Sequence, residues 1–354
     1  MSRRVTPADG PVLVTGGTGF VAGHVVVALL DRGYDVRATV RPGTSADRRQ
    51  ALLSLADTRP GSLGLHEADL GARDGFDDAV AGCRTVFHVA SPFLLPEQIT
   101  DPEREVLLPA IDGTRHVLGA VADAPSVRRV VLTSTVGAVF GDYADVREMP
   151  GGVLREDVFN TSSTLANNPY HYAKTLAERE AWRLARAQQR WDLVAVNPGL
   201  VLGPTLWPGS SSGSLFLMDE LFAGRLFFGV PDISFTVVDV REVAYAHVAA
   251  AEQPEANGRY LLAHREMVSM HDIARIVCGN GATGWRVPRH RVPDWAVRLV
   301  GPQFGLTPDY LRGHLGIRFT VDNQRGIDEL GVAYRPVADT VRDHWTAWRE
   351  QRRG

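Results

Sequence analysis

The sequence predicts an α/β fold with a doubly wound parallel sheet, in which helices cover both faces of the sheet. Over roughly the first 140 residues, short apolar runs alternate with stretches of helical pattern. Strands that are separated by helices pair in parallel, because the helix carries the chain back across the sheet. The chain has 354 residues and is 44% hydrophobic, so it can bury a large core.

The elements of the first half are predicted in order along the chain. Residues 12–15 form a buried strand, and residues 20–30 form a helix that ends near Gly33, where a left-handed cap is usual. Strands follow at residues 35–40, 63–68, 85–90 and 129–133, and a helix fills roughly residues 103–122. The short apolar runs suit strands that are buried on both faces of a sheet.

The second half begins with a long helix at Asn168 and Pro169, because Asn caps a helix and Pro fits its first turn. This helix extends to about residue 189, and a buried strand follows at residues 193–197. The pattern is less regular beyond that strand. Residues 237–250 have the pattern of a strand followed by a helix, and residues 259–263 that of a strand.

Composition excludes several kinds of protein. The net charge is −3, so there is no basic excess for nucleic acid or an anionic membrane. Cys83 and Cys278 cannot build a disulfide framework, and no apolar run is long enough to span a bilayer. The 11 histidines show no metal-ligand spacing, so no metal is expected. We expect a cytoplasmic monomer or homodimer with no nucleic-acid or membrane partner.

A glycine-rich loop follows the first strand and opens the first helix, with the sequence TGGTGFVA over residues 15–22. Glycines let the backbone approach a pyrophosphate, and the helix N-terminus offers unpaired N–H groups and the positive end of its dipole. The strand–loop–helix context predicts a dinucleotide site. The residues expected to bind the cofactor are Gly16, Thr18, Gly19, Phe20 and Val21.

The end of the second strand indicates which dinucleotide binds. NAD sites usually place an acidic residue there for the ribose 2′-OH, but residues 38–43 (ATVRPG) contain none. Arg41 is placed to pair with a 2′-phosphate, and a guanidinium suits phosphate geometry. Arg37, Arg48 and Arg49 are near enough to contribute. We therefore expect NADP(H), with NAD(H) as the alternative.

The single lysine of the chain marks the candidate catalytic residues. Lys174 follows Tyr170 by four residues, so both lie on one face of the predicted helix, whereas Tyr172 lies on another. A tyrosine has a pKa of about 10, and a nearby ammonium lowers it and tunes the phenol as a general acid or base. An ammonium is also more compact than the guanidinium that the chain uses everywhere else. We expect both residues to be catalytic.

These motifs resemble the extended short-chain dehydrogenase/reductases of the NAD-dependent epimerase/dehydratase superfamily, and the match extends along most of the chain. The glycine loop, Asp69-Leu70, the Tyr170/Lys174 pair and the segment NPG at residues 197–199 come in family order, as does VDVREVAYAH at residues 238–247. The segments VRATVR, VFHVASP and YHYAKTLAE resemble the dihydroflavonol reductase, cinnamoyl-CoA reductase and yeast-type aldehyde reductase branch. The resemblance implies an NADPH-dependent carbonyl reductase.

The resemblance also assigns roles to single residues. The third catalytic group of the family is a hydroxyl after the fifth strand, which aligns with Thr135 here, with Ser134 as the alternative. Lys174 would also hold the nicotinamide ribose. The remaining cofactor contacts align with Asp69 and Leu70 for the adenine, Ala90 and Ser91 on the ribose side, and Pro198 and Val201 beside the nicotinamide.

We expect two interwoven parts, because no linker is visible. Residues 1–198, with a returning segment at about 236–258, form a Rossmann-like NADP-binding domain, and residues 199–235 and 259–354 form a smaller substrate lobe. The apolar candidates for the substrate pocket are Phe93, Phe140, Trp207 and Phe216. Phe140 stands where flavonoid-specific reductases carry an asparagine, which favours simpler aldehydes and ketones as substrates.

The expected activity is hydride transfer to a substrate carbonyl, with Tyr170 as the proton donor. A nucleotide-sugar epimerase or a hydroxysteroid-type dehydrogenase on the same fold stays open as an alternative. Sugar dehydratases place Asp-Glu directly after the loop hydroxyl, where this chain has Val136-Gly137. A non-catalytic regulator that senses NADP is the alternative of another class, although such proteins lose the Tyr/Lys pair that this chain keeps.

Overall fold

A parallel sheet forms the centre of the computed structural model, which describes residues 5–92, 94, 98–209, 212–279, 287–288, 290–304 and 306–352. Within these residues the sheet has seven strands. The strands are β1 Val12–Val14, β2 Asp35–Val40, β3 Ser62–Glu67, β4 Thr85–His88, β5 Arg129–Thr133, β6 Val153–Leu154, β7 Asp192–Pro198, β8 Leu200–Leu202, β9 Ser234–Phe235, β10 Val237–Asp239, β11 Gly258–Leu262, β12 Val268–Ser269 and β13 Thr320–Val321.

The helices lie on both faces of this sheet and in the lobe beside it. They are α1 Phe20–Leu30, α2 Ala46–Leu53, α3 Phe76–Val80, α4 Leu108–Asp123, α5 Tyr143–Glu148, α6 Pro169–Arg186, α7 Gly213–Phe222, α8 Val240–Glu252, α9 Met270–Gly279, α10 Asp294–Val300, α11 Pro308–His314, α12 Gln324–Asp328 and α13 Val337–Gln351. The helix predicted from residue 103 begins with a π-helical turn, Glu103–Leu107. Pro109 has no N–H to continue an α-helical ladder through that turn.

The sheet has the order β3-β2-β1-β4-β5-β7-β11, and its strand pairs are parallel. The order reverses between β1 and β4, so the chain leaves these two strands in opposite directions and opens a crevice at their carboxyl ends. This is a Rossmann-like, doubly wound α/β fold, and it confirms the predicted fold class. The crevice is where such folds bind their ligands.

The core forms because the central strands are apolar on both faces. Val12 and Val14 of β1 pack into one hydrophobic cluster with α1 and α8, whereas Leu13 packs into a second cluster with α4 and α6. Alternate residues of a strand point to opposite faces, so an unbroken apolar run supplies both clusters. The short, buried strands therefore hold their carboxyl ends in fixed positions below the crevice.

The smaller lobe is built from segments that return to the central sheet. The strand pairs β8–β10, β9–β12 and β6–β13 join chain segments that are far apart in sequence. We expected the returning segment to end at about residue 258, but β11 continues the central sheet by pairing with β7. We therefore propose that the cofactor domain includes Gly258–Leu262 and that the smaller lobe resumes after it.

A buried arginine joins the sheet to α8. Arg129, at the start of β5, is 3% exposed and makes two 2.8 Å hydrogen bonds to the carboxylate of Asp192 on β7. It also donates to the carbonyl oxygens of Ala250 and Gln253 at the end of α8, at 2.8 and 2.6 Å. These carbonyls have no helical N–H partners, so the guanidinium supplies the donors that the helix end lacks.

Arg129→Met is expected to lower the free energy of unfolding by about 2–4 kcal/mol, because it leaves several buried acceptors unpaired while keeping the apolar stem. Urea unfolding checks this. Arg73→Met is the matched control, since Arg73 pairs with Asp77 at 3.0 Å at the surface. That change should cost within about 1 kcal/mol. Equal costs for the two variants would contradict the role of Arg129.

Candidate active site

The candidate site lies at the carboxyl edge of the sheet, where four strand ends meet. The loops after β1, β4, β5 and β7 carry most of the residues that the sequence analysis selected. The Thr15 hydroxyl, at the end of β1, accepts hydrogen bonds from the Val89 and Ala90 amides at 3.0 and 2.9 Å. The loops after β1 and β4 are therefore joined directly, which fixes the two sides of the crevice relative to each other.

The glycine loop is close-packed, and two of its glycines have no room for a side chain. A Cβ on Gly16, whose φ is +70°, would lie 3.0 Å from the Ala90 Cβ. A Cβ on Gly17 would lie 2.8 Å from the Ala38 Cβ on β2. The Gly16 and Gly17 amides donate to the side chain and the carbonyl of Thr39, at 2.9 and 2.8 Å. The loop is held against β2 and its outer face is left to a ligand.

The N-terminus of α1 fits the pyrophosphate of a dinucleotide. Gly19 is the N-cap, and no side chain caps the helix. The first-turn amides of Phe20 and Val21 thus have no side-chain acceptor, and the helix dipole favours an anion at this point. Thr18 and Gly19 precede these amides in the same turn, so the loop residues predicted to bind the cofactor lie together.

Trp207 lies on the glycine loop, and its place in the substrate pocket stays a prediction. Its indole N–H donates to the Thr18 carbonyl at 3.0 Å, and a Cβ on Gly23 would lie 2.8 Å from its Cη2 atom. The side chain is 7% exposed. Gly23 has no side chain and leaves room for the indole ring on α1. Packing there removes more of the ring's apolar surface from water than an open cleft would, which is more favourable. Trp207 therefore supports the cofactor loop.

The arginines near the end of β2 have different surroundings. Arg41 is exposed, and no acidic side chain pairs with it in the described part of the chain. Arg37 instead donates to the Ala81 carbonyl beyond α3, at 2.6 Å, and Arg49 pairs with Glu67. Arg48 donates to the Gly209 carbonyl at 2.8 Å. The guanidinium groups of the other three arginines already make hydrogen bonds or ion pairs within the protein. Arg41 is therefore the arginine best placed to bind a phosphate.

The residues predicted to contact the adenine and ribose lie along the crevice. Asp69 is exposed just after β3, where its Oδ1 atom accepts from the Gly71 amide at 2.7 Å. Leu70 packs against α4, since a Cβ on Gly113 would lie 3.0 Å from the Leu70 Cβ. Ala90 and Ser91 line a small cavity that also contains the Lys174 side chain. Pro198 ends β7, and Val201 lies on β8 directly after it.

Lys174 is buried beneath the crevice, on α6. Its Nζ atom donates to the Thr133 carbonyl at the end of β5, at 3.0 Å, and the residue is 9% exposed. Burial lowers the pKa of Lys174 to about 8, and the Glu178 carboxylate acts against that fall. Below pH 8 the side chain is a buried ammonium with one carbonyl partner.

Tyr170 lies one turn before Lys174 on α6, and its side chain is 40% exposed. The protein around it raises the pKa of its phenol, and no charge on a described residue opposes that rise. We expected the ammonium to lower this pKa, whereas burial raises it in the structure. Lys174 donates to the Thr133 carbonyl. The phenol is therefore a protonated donor at neutral pH.

The two candidate hydroxyls after β5 have different partners. Ser134 donates to the Glu178 carboxylate at 2.5 Å and is buried. The Thr135 hydroxyl accepts from the Gly137 amide at 3.2 Å, which leaves its proton available for another acceptor. The same turn packs on α6, because Gly137 has no side chain and His171 fills the space beside it. The turn that carries Thr135 thus lies against the turn that carries Tyr170.

The predicted substrate-pocket residues do not form one group. Phe140 is 2% exposed and contacts the rings of Tyr143 and Phe319, with centroids 5.8 and 5.5 Å apart. It belongs to a buried aromatic cluster, and its place in the substrate pocket stays a prediction. Phe216 is partly buried on α7. Phe93 lies outside the described residues.

The sequence analysis missed the residues below the site. Glu178 is buried and forms an ion pair with Arg259 on β11, with 2.7 Å between Oε1 and Nε. His247 on α8 lies at 2.6 Å from the Thr133 hydroxyl and at 2.7 Å from the Val243 carbonyl. Burial lowers the pKa of His247 to about 4, so the ring is neutral. The one available signal was the position of Glu178, four residues after Lys174 on the same face.

Two further features of the described residues concern metal binding and membranes. Among the described residues, no three His, Cys, Asp or Glu side chains come together in a way that could hold a metal ion. In the same part of the chain, no helix is both long enough and apolar enough to cross a bilayer. The groups at the crevice are a phenol, an ammonium and hydroxyls, which transfer protons and donate hydrogen bonds.

The chain is similar to a known protein family and to solved structures of reductases. The model of the NAD dependent epimerase/dehydratase family matches residues 12–263. A cinnamoyl-CoA reductase from Medicago truncatula is 37% identical over 268 residues, which cover 75% of this chain and 79% of that protein. Gre2 from Candida albicans, solved in complex with NADPH, is 27% identical with a TM-score of 0.77, covering 96% of this chain and 99% of that one. A yeast methylglyoxal/isovaleraldehyde reductase, Gre2 complexed with NADPH, is 26% identical with a TM-score of 0.75, covering 96% and 99%.

Trp207→Phe is expected to weaken binding of NADPH about fivefold, because it removes the indole donor to the Thr18 carbonyl and keeps a ring over Gly23. Titration calorimetry measures the change. Trp348→Phe is the matched control, since its indole donates to Asp219 at 2.8 Å, away from the crevice. An unchanged affinity in Trp207→Phe would show that the indole N–H does not hold the loop.

Proposed function

The chain belongs to the NAD dependent epimerase/dehydratase family, and we propose that within this family it is an NADPH-dependent carbonyl reductase acting on aldehydes or ketones. It is an oxidoreductase, as its relatives are reductases by name. One observation carries the proposal of carbonyl reduction: a protonated phenol, Tyr170, stands at the crevice one helical turn from a buried ammonium, Lys174. A proton donor beside a dinucleotide site suits reduction of a C=O group.

NADP(H) is the proposed cofactor, and two features support it. The end of β2 has no carboxylate to bind a ribose 2′-OH, and Arg41 is exposed there with no acidic partner among the described residues. A guanidinium binds a phosphate through paired hydrogen bonds, so Arg41 is the proposed ligand of the 2′-phosphate. Two of the Gre2 structures to which this chain is similar are NADPH complexes.

Each catalytic residue has a separate task in the proposed reaction. The bound nicotinamide supplies a hydride to the carbonyl carbon. Tyr170 delivers a proton to the carbonyl oxygen, and the Thr135 hydroxyl donates a hydrogen bond that orients this oxygen. Lys174 is proposed to hold the nicotinamide ribose and to keep a positive charge below the site. Ser134 takes no part, because its proton is committed to Glu178.

A panel of aldehydes and ketones, followed by NADPH absorbance, tests the proposal. We expect turnover with NADPH in preference to NADH, and Tyr170→Phe should lower kcat at least about 100-fold because it removes the proton donor. Affinity for NADPH should stay within about twofold, since the ring remains.

Tyr172→Phe is the control for this measurement, since Tyr172 packs in the apolar cluster between α4 and α6. It should keep nearly full activity. Tight NADPH binding without turnover of any carbonyl would favour the NADP-sensing regulator, and interconversion of a nucleotide sugar would favour an epimerase. An inactive Tyr172→Phe together with an active Tyr170→Phe would show that Tyr172, and not Tyr170, is the proton donor.

Thr135→Val is expected to lower kcat about 100-fold, because valine keeps the shape of threonine and removes the oxyanion donor. Thr135→Ser should keep most of the activity. Ser134→Ala is the comparison at the adjacent position, and it should lower kcat less than Thr135→Val. Full activity in Thr135→Val would transfer the role to Ser134.

A further inference from the structure

A single buried carboxylate organises the loop after β5. Glu178 on α6 is 1% exposed, and its Oε2 atom accepts from the Ser134 hydroxyl at 2.5 Å and from the Asn197 side-chain amide at 2.9 Å. The same Asn197 amide donates to the Thr135 carbonyl at 3.1 Å. Glu178 thus holds both residues of the loop, Ser134 through its side chain and Thr135 through Asn197.

Arg259 supplies the opposite charge for this carboxylate. It is 7% exposed on β11 and forms the 2.7 Å ion pair with Glu178. Its remaining donors reach the carbonyls of Glu156 at 2.9 Å and Ala138 at 3.1 Å, and its guanidinium lies 4.1 Å from the centre of the Phe159 ring. The Arg259 Nε atom lies 2.7 Å from Glu178 Oε1, and its Nη2 atom donates to Oε2 at 3.3 Å. A buried ion pair that is held by several such contacts has one defined geometry, which suits a positioning role.

Glu178 also faces the catalytic lysine. Both side chains line the same small cavity, and the two residues are four apart on α6. The titratable or charged groups around Lys174 are Tyr170 and Glu178 on its own helix, His88 on β4, His247 on α8 beside Thr133, and Arg259 behind Glu178. Burial lowers the pKa of His88 to about 3, and His247 is neutral as well. Glu178 is therefore the negative charge next to the ammonium.

We propose that Glu178 is a positioning residue of the reduction site: it fixes the Ser134–Thr135 backbone and supplies the negative charge that keeps Lys174 an ammonium. The proposal rests on the proposed reductase function for its effect on catalysis. Its effect on Lys174 is independent of any activity. Arg259 serves as the counter-ion that allows the carboxylate to stay charged while buried.

The single lysine makes a direct measurement possible. Protein labelled with 13C at the lysine Cε carbon gives one side-chain NMR signal, whose position reports the charge of Lys174. In the wild type this signal should titrate with a midpoint near 8. In Glu178→Gln the midpoint should fall by about one pH unit or more, because a neutral amide no longer favours the charged form.

Three further variants complete the test. Glu178→Asp keeps the charge, and its Lys174 midpoint should stay near that of the wild type. Glu180→Gln is the matched control, since Glu180 lies on the same helix but pairs with Arg115 and Arg183 at 2.8 and 2.7 Å; its midpoint and activity should not change. Should Glu178→Gln not fold, Glu178→Gln combined with Arg259→Met removes both buried charges. The midpoint should then fall by less than in Glu178→Gln, because the loss of the more distant Arg259 charge partly offsets the loss of the carboxylate.

Activity supplies the second readout. With an active wild type, Glu178→Gln should lower kcat about tenfold or more with a smaller change in KM, and the alkaline limb of its pH profile should move to lower pH. An unchanged Lys174 midpoint in the variants that lack the carboxylate would overturn the proposal. An inactive wild type would refute the reductase function, and the NMR titration would still decide the role of Glu178.

Discussion

The buried ammonium of Lys174 is the constraint on which the rest of the site depends. Burial lowers its pKa from 10.5 to about 8. Since one pKa unit corresponds to about 1.4 kcal/mol, holding the charge inside the protein costs roughly 3 kcal/mol at neutral pH. This cost is present below pH 8 and disappears as the pH rises towards 10.5, because the unfolded chain then keeps a proton that the folded chain has lost. A chain with one lysine and many arginines retains it at this position.

The neighbours of Lys174 are arranged so that this charge can stay. The Thr133 carbonyl accepts a hydrogen bond from the ammonium, and the Thr133 hydroxyl is hydrogen-bonded to the neutral His247 ring. The end of β5 is therefore held from two sides. His88 is also neutral and adds no repulsion. An arginine in place of Lys174 would need space for a planar fork between these groups, and the cavity there is small. The packing around this position therefore has room for the ammonium of a lysine but not for the guanidinium of an arginine.

Local patterns were sufficient to predict the fold and to select residues that lie together at the crevice, because the strands, the glycine loop and the Tyr170/Lys174 spacing are short-range features. Long-range partners could not be predicted. The indole of Trp207 bonds to Thr18, which is 189 residues away, and Arg259 reaches Glu178 across 81 residues. A buried aromatic residue and a pocket-lining one look alike in sequence, so the burial of Phe140 and Trp207 could not be predicted. The tuning of Tyr170 also depends on where the ammonium points, which only the three-dimensional structure shows.

The protonation states of the two residues on α6 agree with reduction at neutral pH. The phenol of Tyr170 has a raised pKa, so it holds the proton that the carbonyl oxygen needs, and Lys174 is charged below pH 8. As the pH rises, the ammonium titrates first and the phenol later, so the charge below the site is lost before the proton donor. The same groups serve both directions of the proposed reaction, since the phenolate left after proton donation is the base that takes a proton back from an alcohol. The contact between Lys174 and Thr133 holds the positive charge below the site in either direction.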